Sequence, residues 1–230
     1  MLNEPCLLTV RKNIVRPPKH DVDQLSHFPT AHLADALNGH GSLDYLIKPI
    51  YEHMRVCGPA VTAFCGPLDN LAAMASLDVI KRGDVLVIAT DRDKSSAKIG
   101  DLWIELAKEK GLAGVVCDGL VRDKEGIKRL GVPVFAVGIS SNSSFRNGPG
   151  TINTIVSCGG VAISPGDIVT GDIDGVVVIR REVSPTILAK VKKVSQIEQD
   201  TQLKINRGED IKLWSKSDLQ GEILWYDDER

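Results

Sequence analysis

VLVIATDRDKSSAKIGDLWIELAKEKGLAGVVCDGLVRDKEGIKRLGVPVFAV, residues 85–137, is the stretch on which the fold turns. Three short apolar runs stand out in it: Val85–Ala89, Gly114–Asp118 and Pro133–Val137. A short, continuously apolar run indicates a strand buried on both faces. Between the first two runs a helix is predicted to begin near Gly100 and to end at Gly111, a C-cap position. A loop at Gly119–Arg122 is expected to lead into a second helix, Asp123–Leu130. The order β-α-β-α-β predicts an α/β fold with a central, mostly parallel sheet and helices packed on it.

The flanks extend this picture. Val56–Phe64 reads as a strand, and Asp69–Lys81 as a helix through Leu71, Met74, Ala75 and Ile80. Thr30 is the predicted N-cap of a helix with Leu33, Ala34 and Leu37 at apolar spacing. Before it, residues 1–29 read as an N-terminal arm or short helix, polar and interrupted by Pro17-Pro18. After the core, Asn153–Ser157, Val161–Ile163, Ile168–Thr170 and Gly175–Ile179 are short predicted strands that form a β-rich second layer. Ser184 as N-cap and Pro185 at the first helical position open a helix running to about Ile205. The catalytic domain is thus expected at 30–206. A tail follows at 207–230, whose Trp214, Trp225 and Tyr226 suggest either docking on a partner surface or a disordered end.

Composition narrows the function. Hydrophobic residues make up 43% of the chain, enough for a core, and the formal net charge is -2. Charges of both signs are interspersed along a chain of pI about 6.2, so a nucleic-acid partner is not expected. The five cysteines (Cys6, Cys57, Cys65, Cys117 and Cys158) are scattered with no C-x-x-C pair, the pattern of reduced thiols in a cytoplasmic protein. Met1–Pro5 shows no basic region leading into an apolar run, so no signal peptide is expected, and no stretch reads as a membrane span. All five histidines lie between His20 and His53 without H-E-x-x-H or H-x-H spacing, so neither a zinc site nor a histidine triad in the second half is expected.

Two motifs carry chemistry. Gly100-Asp101-Leu102-Trp103 opens a helix, where free backbone N–H groups attract an anion such as a carboxylate. Alone, Asp101 reads equally as a helix-capping carboxylate. Asp118-Gly-Leu-Val-Arg-Asp123 follows an apolar strand, at the sheet edge where open α/β folds bind ligands. Arg122 offers a planar fork for a carboxylate, and Asp123 a hard oxygen for magnesium. Alone, this pair reads equally as a salt bridge capping the next helix. The spacing joins the two motifs: 122 − 101 − 1 = 20 residues, one helix plus one strand, return the chain to the same edge of the sheet. On the C-terminal helix, the stripe of Ile187, Val191 and Val194 continues to Glu198. That carboxylate is either solvated at an exposed helix end or bound at a metal site, in a neighbouring subunit for instance. The lysines near the motifs, Lys98, Lys108, Lys110 and Lys124, have no evident buried setting, so a Schiff-base lysine is not invoked.

At these residues the sequence resembles the class II pyruvate aldolases that cleave 4-hydroxy-4-methyl-2-oxoglutarate and 4-carboxy-4-hydroxy-2-oxoadipate. Those enzymes share their fold with the RraA-like proteins, named as regulators of ribonuclease E activity. The family's Asp, twenty residues, Arg-Asp matches Asp101…Arg122-Asp123; Gly114–Asp123 and Pro165–Ile179 match its strands and loops, over roughly Thr30–Glu198. The resemblance implies an αββα sandwich of the swivelling β/β/α type, assembled as a homotrimer or homohexamer with the site between subunits. It implies Mg2+, with Mn2+ or another divalent ion as substitute, bound directly by Asp123. Asp101, and Glu198 from the adjacent subunit, would hold water on the metal. Arg122 and the backbone N–H groups of Leu102 and Trp103, beside Gly100, would hold a small 2-oxo acid. The implied reaction is retro-aldol cleavage of a 4-hydroxy-2-oxo acid to pyruvate, with oxaloacetate decarboxylation as a second activity. Two rivals accompany it. One is a non-catalytic protein that binds and inhibits a ribonuclease E complex, against which Asp101 argues. The other is a methyltransferase, a name attached to some members, for which no glycine-rich nucleotide loop follows the first strand.

Overall fold

The computed structural model describes residues 6–214 and 221–224. Strands are β1 Leu8–Val10, β2 Lys48–Pro49, β3 Val56–Cys65, β4 Val85–Ala89, β5 Gly114–Val121, β6 Val134–Ile139, β7 Gly150–Ile152, β8 Val156–Cys158, β9 Val161–Ile163, β10 Ile168–Asp172 and β11 Gly175–Ile179. Helices are α1 Lys19–Leu25, α2 Thr30–Ala36, α3 Leu71–Ala75, α4 Asp101–Glu109, α5 Lys124–Leu130 and α6 Ser184–Asn206. The sheet order β1-β7-β3-β4-β5-β6-β2 contains the expected parallel centre, β3 to β6. Every residue of β4 is buried, as its unbroken apolar run requires.

β3 serves both layers. Val56–Pro59 pairs antiparallel with β10, and Ala60–Phe64 pairs parallel with β4. The β10–β11 hairpin therefore hangs off the main sheet as the β-rich second layer. One core lies around the parallel sheet, and a second forms where Leu25, Leu33, Ile187, Leu188 and Val191 pack on Ile168, Val177 and Ile179. α4 ends as predicted: Gly111, at φ +80, lets its N–H reach Lys108 O at 2.8 Å and Leu112 N–H reach Ala107 O at 3.0 Å.

Several expectations are corrected. Thr30 is the first residue of α2 rather than its cap, because Asp172 caps the helix from across the fold; it accepts from Thr30 N at 2.8 Å and Thr30 Oγ1 at 2.6 Å. The helix expected over Asp69–Lys81 is only α3, followed by a 3-10 turn at Ser76–Asp78, where Ser76 Oγ bonds back to Ala73 O at 2.7 Å. The loop expected at Gly119–Arg122 is mostly strand: β5 continues to Val121 through a register shift between Cys117 and Leu120. The strand expected at Asn153–Ser157 is broken by Asn153, at φ +57, whose side chain donates to Arg11 O at 2.8 Å. Of that span only Val156 and Ser157 are strand, in β8; β7 ends before it, at Ile152.

Residues 1–29 are tied to the body where they are described. β1 extends the main sheet beside β7. Arg16 clamps Asp84 with Nε–Oδ1 2.8 Å and Nη2–Oδ2 2.6 Å, and Asp84 is fully buried. Removing one partner of such a pair strands a buried charge. Arg16→Met is therefore expected to destabilise the fold by about 3 kcal/mol, read as a lowered urea midpoint. An unchanged midpoint would show that Asp84 is solvated once the arm is cut loose. Met1–Pro5, Trp225 and Tyr226, on which the signal-peptide reading and most of the tail reading rest, lie outside the described residues. Among the described residues no helix is long and apolar enough to cross a membrane.

Candidate active site

The C-terminal ends of β3, β4 and β5 open onto one cleft of about 150 Å³. Gly100, Leu102 and Trp103 line it from the start of α4, Arg122 and Asp123 from the end of β5, and Asn70 from the loop after β3. The β-α-β spacing thus brings both motifs to one place. Gly100 caps α4 in an extended conformation that any residue adopts (φ -136, ψ -170). Its need for hydrogen is steric: a Cβ there would lie 2.1 Å from Asp123 Oδ2 and 3.1 Å from the Arg122 side chain. Asp123 sits in the left-handed region at φ +60, a strained setting that clusters at functional sites and that aims its carboxylate back over Gly100.

Arg122 donates from Nε to Asp123 Oδ2 at 3.2 Å and from Nη1 to Ser143 Oγ at 2.6 Å. The two side chains stay 40% and 37% exposed, so a ligand can reach both. Asp101 stands alongside but does not itself line the cleft. Its Oδ1 accepts from Leu102 N at 2.8 Å, and its carboxylate lies against α5, where a Cβ on Gly126 would meet Oδ2 at 2.1 Å. Asp101 N leans toward Asp123 Oδ2 at 3.4 Å. Both plain alternatives, a capping Asp101 and an ion-paired Arg122–Asp123, are therefore present in the geometry, within a cleft rather than instead of one. Of the two amides expected to grip an oxo acid, Leu102 N–H is taken by Asp101, while Trp103 N–H has no protein acceptor among the described residues.

Glu198 is not in this cleft. On α6 it ion-pairs with His32 Nε2 of α2 and stays 64% exposed. It lines a separate depression with Asp35 and Asp174.

Lys98 needs correction outright. Sequence gave it no buried setting, yet its side chain is fully buried, and it lines the cleft. Its Nζ donates to Asp93 Oδ2 at 2.8 Å and Gly66 O at 3.1 Å, so it ties the loop after β3 to the loop after β4. Burial pushes the Asp93 carboxyl up, but donors from Lys98, Ser95 and Leu68 outweigh it and hold the group at about 2, below the ordinary 3.8. A depressed folded-state value means stability that is present above the unfolded value and lost as pH falls through the folded one. The melting-temperature gap between the parent and Asp93→Asn should thus shrink as pH drops from 4 toward 2. A gap constant over that range would contradict the pairing.

Four of the five thiols are unsuited to nucleophilic work. Burial pushes Cys65 up to about 11 and Cys57 up to about 12, and raises Cys117 and Cys158 as well. Asp118, the first residue of its motif, is structural. It accepts from Thr90 N at 2.7 Å and Thr90 Oγ1 at 2.9 Å, and burial still raises it above the usual carboxylate range. Ser143 and Arg146 also line the cleft, from loops whose lack of periodicity gave no signal, and so does Asn70, which the expected helix over Asp69–Lys81 did not single out.

The family model described as RraA-like: Aldolase/RraA matches residues 30–178, the segment that builds this cleft. The chain belongs to the RraA-like family. A protein of Halalkalibacterium halodurans named "Putative 4-hydroxy-4-methyl-2-oxoglutarate aldolase" is 41% identical to this RraA-like chain over 172 residues, 75% of this chain and 82% of that one. Among solved structures, a Streptomyces coelicolor protein described as an unusual member of the RNase ES inhibitor RraA protein family superposes with TM-score 0.75. It shares 26% identity and covers 82% of this chain and 100% of its own. A Geobacillus kaustophilus protein titled S-adenosylmethionine: 2-dimethylmenaquinone methyltransferase superposes with TM-score 0.62 at 30% identity, over 66% of this RraA-like chain and 95% of its own. The RraA-like fold is the one the resemblance implied, and its central mostly parallel sheet is the one expected from residues 85–137.

The donors fit a hard divalent cation. Mg2+ usually keeps several waters and takes one or two carboxylates plus ligand oxygens. Asp123, with Asp101 beside it, offers that set, and the described residues contain no cluster of three or more His, Cys, Asp or Glu that would form an all-protein cage.

Proposed function

We propose that this RraA-like protein is a class II pyruvate aldolase: it cleaves a 4-hydroxy-2-oxo acid or diacid to pyruvate plus a second oxo acid or aldehyde, and decarboxylates oxaloacetate. The observation that carries this reading is the meeting of Arg122, Asp123 and the start of α4 in one small, reachable cleft. The relative named for 4-hydroxy-4-methyl-2-oxoglutarate supports the substrate class. Asp123 would hold Mg2+, with Asp101 and a neighbouring subunit's Glu198 completing its surroundings in a homotrimer or homohexamer. Exposed Leu102 and Leu106 on α4 beside the cleft suit burial in such an assembly. A bound divalent ion supplies Lewis-acid polarisation of the 2-oxo group.

The chain's own groups do the rest. Arg122 pairs with the oxo-acid carboxylate as a planar fork and stabilises negative charge as the pyruvate enolate forms. Trp103 N–H, at the positive end of α4, adds a donor to the same carboxylate. Asp101, beside the cleft, draws the proton of the C4 hydroxyl through a water as the C3–C4 bond breaks. Decarboxylation of oxaloacetate passes through the same enolate and needs no such proton transfer.

The test is pyruvate release, followed with a coupled lactate dehydrogenase, from 4-hydroxy-4-methyl-2-oxoglutarate and from oxaloacetate. Turnover of both is expected. Turnover of neither, with capture of a ribonuclease E complex instead, would replace this reading with the inhibitor role of the RraA relatives.

A further inference from the structure

Two polar atoms in residues lining the cleft have no protein partner among the described residues. Asn70 Oδ1 and Trp103 Nε1 are both buried and unbonded, in side chains only 9% and 5% exposed. The orientation of Asn70 is settled by its neighbour: the amide nitrogen donates to Lys98 O at 2.9 Å, and only an NH2 can face a carbonyl, so Oδ1 points the other way. Trp103 comes from the first turn of α4, and both residues line the cleft. One is an acceptor only at Oδ1, the other a donor only. We propose that together they recognise a hydroxyl group of the ligand, Trp103 Nε1 donating to its oxygen and Asn70 Oδ1 accepting its hydrogen.

The chemistry selects this partner. An ionised carboxylate or a keto oxygen has no hydrogen for Asn70, and an ammonium has no lone pair for Trp103. A hydroxyl satisfies both, and in the unliganded protein a water would take its place. Neither atom meets bulk solvent, so the partner arrives with whatever fills the cleft. Met74, unbranched and with three rotatable side-chain bonds, lines the same cleft and can swing aside to admit it. On the aldolase reading, on which this inference rests, the hydroxyl is the one at C4; Asn70 Oδ1 holds its hydrogen in the bound substrate, and that proton passes to the water before Asp101 as the C3–C4 bond breaks. The Trp103 donor then stays in place as that oxygen gathers negative charge and becomes the carbonyl of the departing product. A site that leaves buried groups unpaired discriminates strongly against ligands lacking the hydroxyl.

The kinetic arm compares 4-hydroxy-4-methyl-2-oxoglutarate with oxaloacetate, which has no hydroxyl. In Trp103→Phe the ratio of kcat/KM values, hydroxylated over plain, is expected to fall about tenfold, the scale of one lost hydrogen bond. An unchanged ratio overturns the proposal. The second arm reads the Trp103 indole N–H resonance in magnesium-loaded Asp101→Asn protein, where the ligand is expected to persist. A downfield shift is expected with 4-hydroxy-4-methyl-2-oxoglutarate and none with 2-oxoglutarate. Equal shifts, or none with either, overturn it. If the parent protein turns over neither substrate, the aldolase reading has failed, and the indole arm alone decides whether a hydroxyl is held here.

Discussion

Asp123→Asn is expected to lower kcat/KM for pyruvate release by on the order of 10²–10³-fold while the protein melts near the parent temperature. Asn keeps the shape of the side chain and its tolerance of the left-handed backbone at φ +60, so the turn from β5 into α5 survives. What it removes is charge. The carboxylate accepts from Arg122 Nε and Asp101 N, and in the proposed reaction it is the direct ligand of the divalent ion. With the charge gone, Mg2+ binding weakens, and added Mg2+ should restore part of the rate. Full activity in Asp123→Asn at ordinary Mg2+ would place the chemistry elsewhere.

Gly100→Ala should cost about 10²-fold in kcat/KM with little change in overall secondary structure. The backbone of Gly100 is extended and accepts alanine, so the penalty is not conformational. The new methyl group would meet Asp123 Oδ2 at 2.1 Å and Arg122 Cγ and Nε at 3.1 Å. Such contacts cannot persist, so both side chains must withdraw from their present positions. A displacement of that size in a ligand-positioning group is enough for the loss. Parent-like kinetics with a folded variant would mean that neither side chain needs the position it occupies.

What could be read beforehand divides along physical lines. The unbroken apolar runs of β4 and the first half of β5 identified a doubly covered parallel sheet, because only strands buried on both faces carry such runs. The Asp101-to-Arg122 spacing was legible for the same reason: helix plus strand is a fixed out-and-back length. Residues whose role depends on distant partners were not. Thr30 looked like a local cap until Asp172, 142 positions away, supplied the carboxylate. Lys98 looked solvated because nothing nearby in sequence announced that Gly66 O and Asp93 would enclose its ammonium group. Ser143 and Arg146 sit on irregular loops, where no period marks an inward face, and Asn70, inside the helix expected over Asp69–Lys81, is instead the residue just before α3. Glu198 was read as the continuation of the apolar stripe, yet it stays largely exposed; its company in the single chain is His32 rather than the cleft, and only an assembly could bring another copy to Asp123.

The most direct measurement strips the purified protein with chelator and follows pyruvate release from 4-hydroxy-4-methyl-2-oxoglutarate as Mg2+ is returned. The account predicts no release from the stripped protein, recovery on adding Mg2+, and a requirement for much more Mg2+ in Asp123→Asn than in the parent. Release that is indifferent to chelator, or a Mg2+ requirement unchanged by Asp123→Asn, would contradict it.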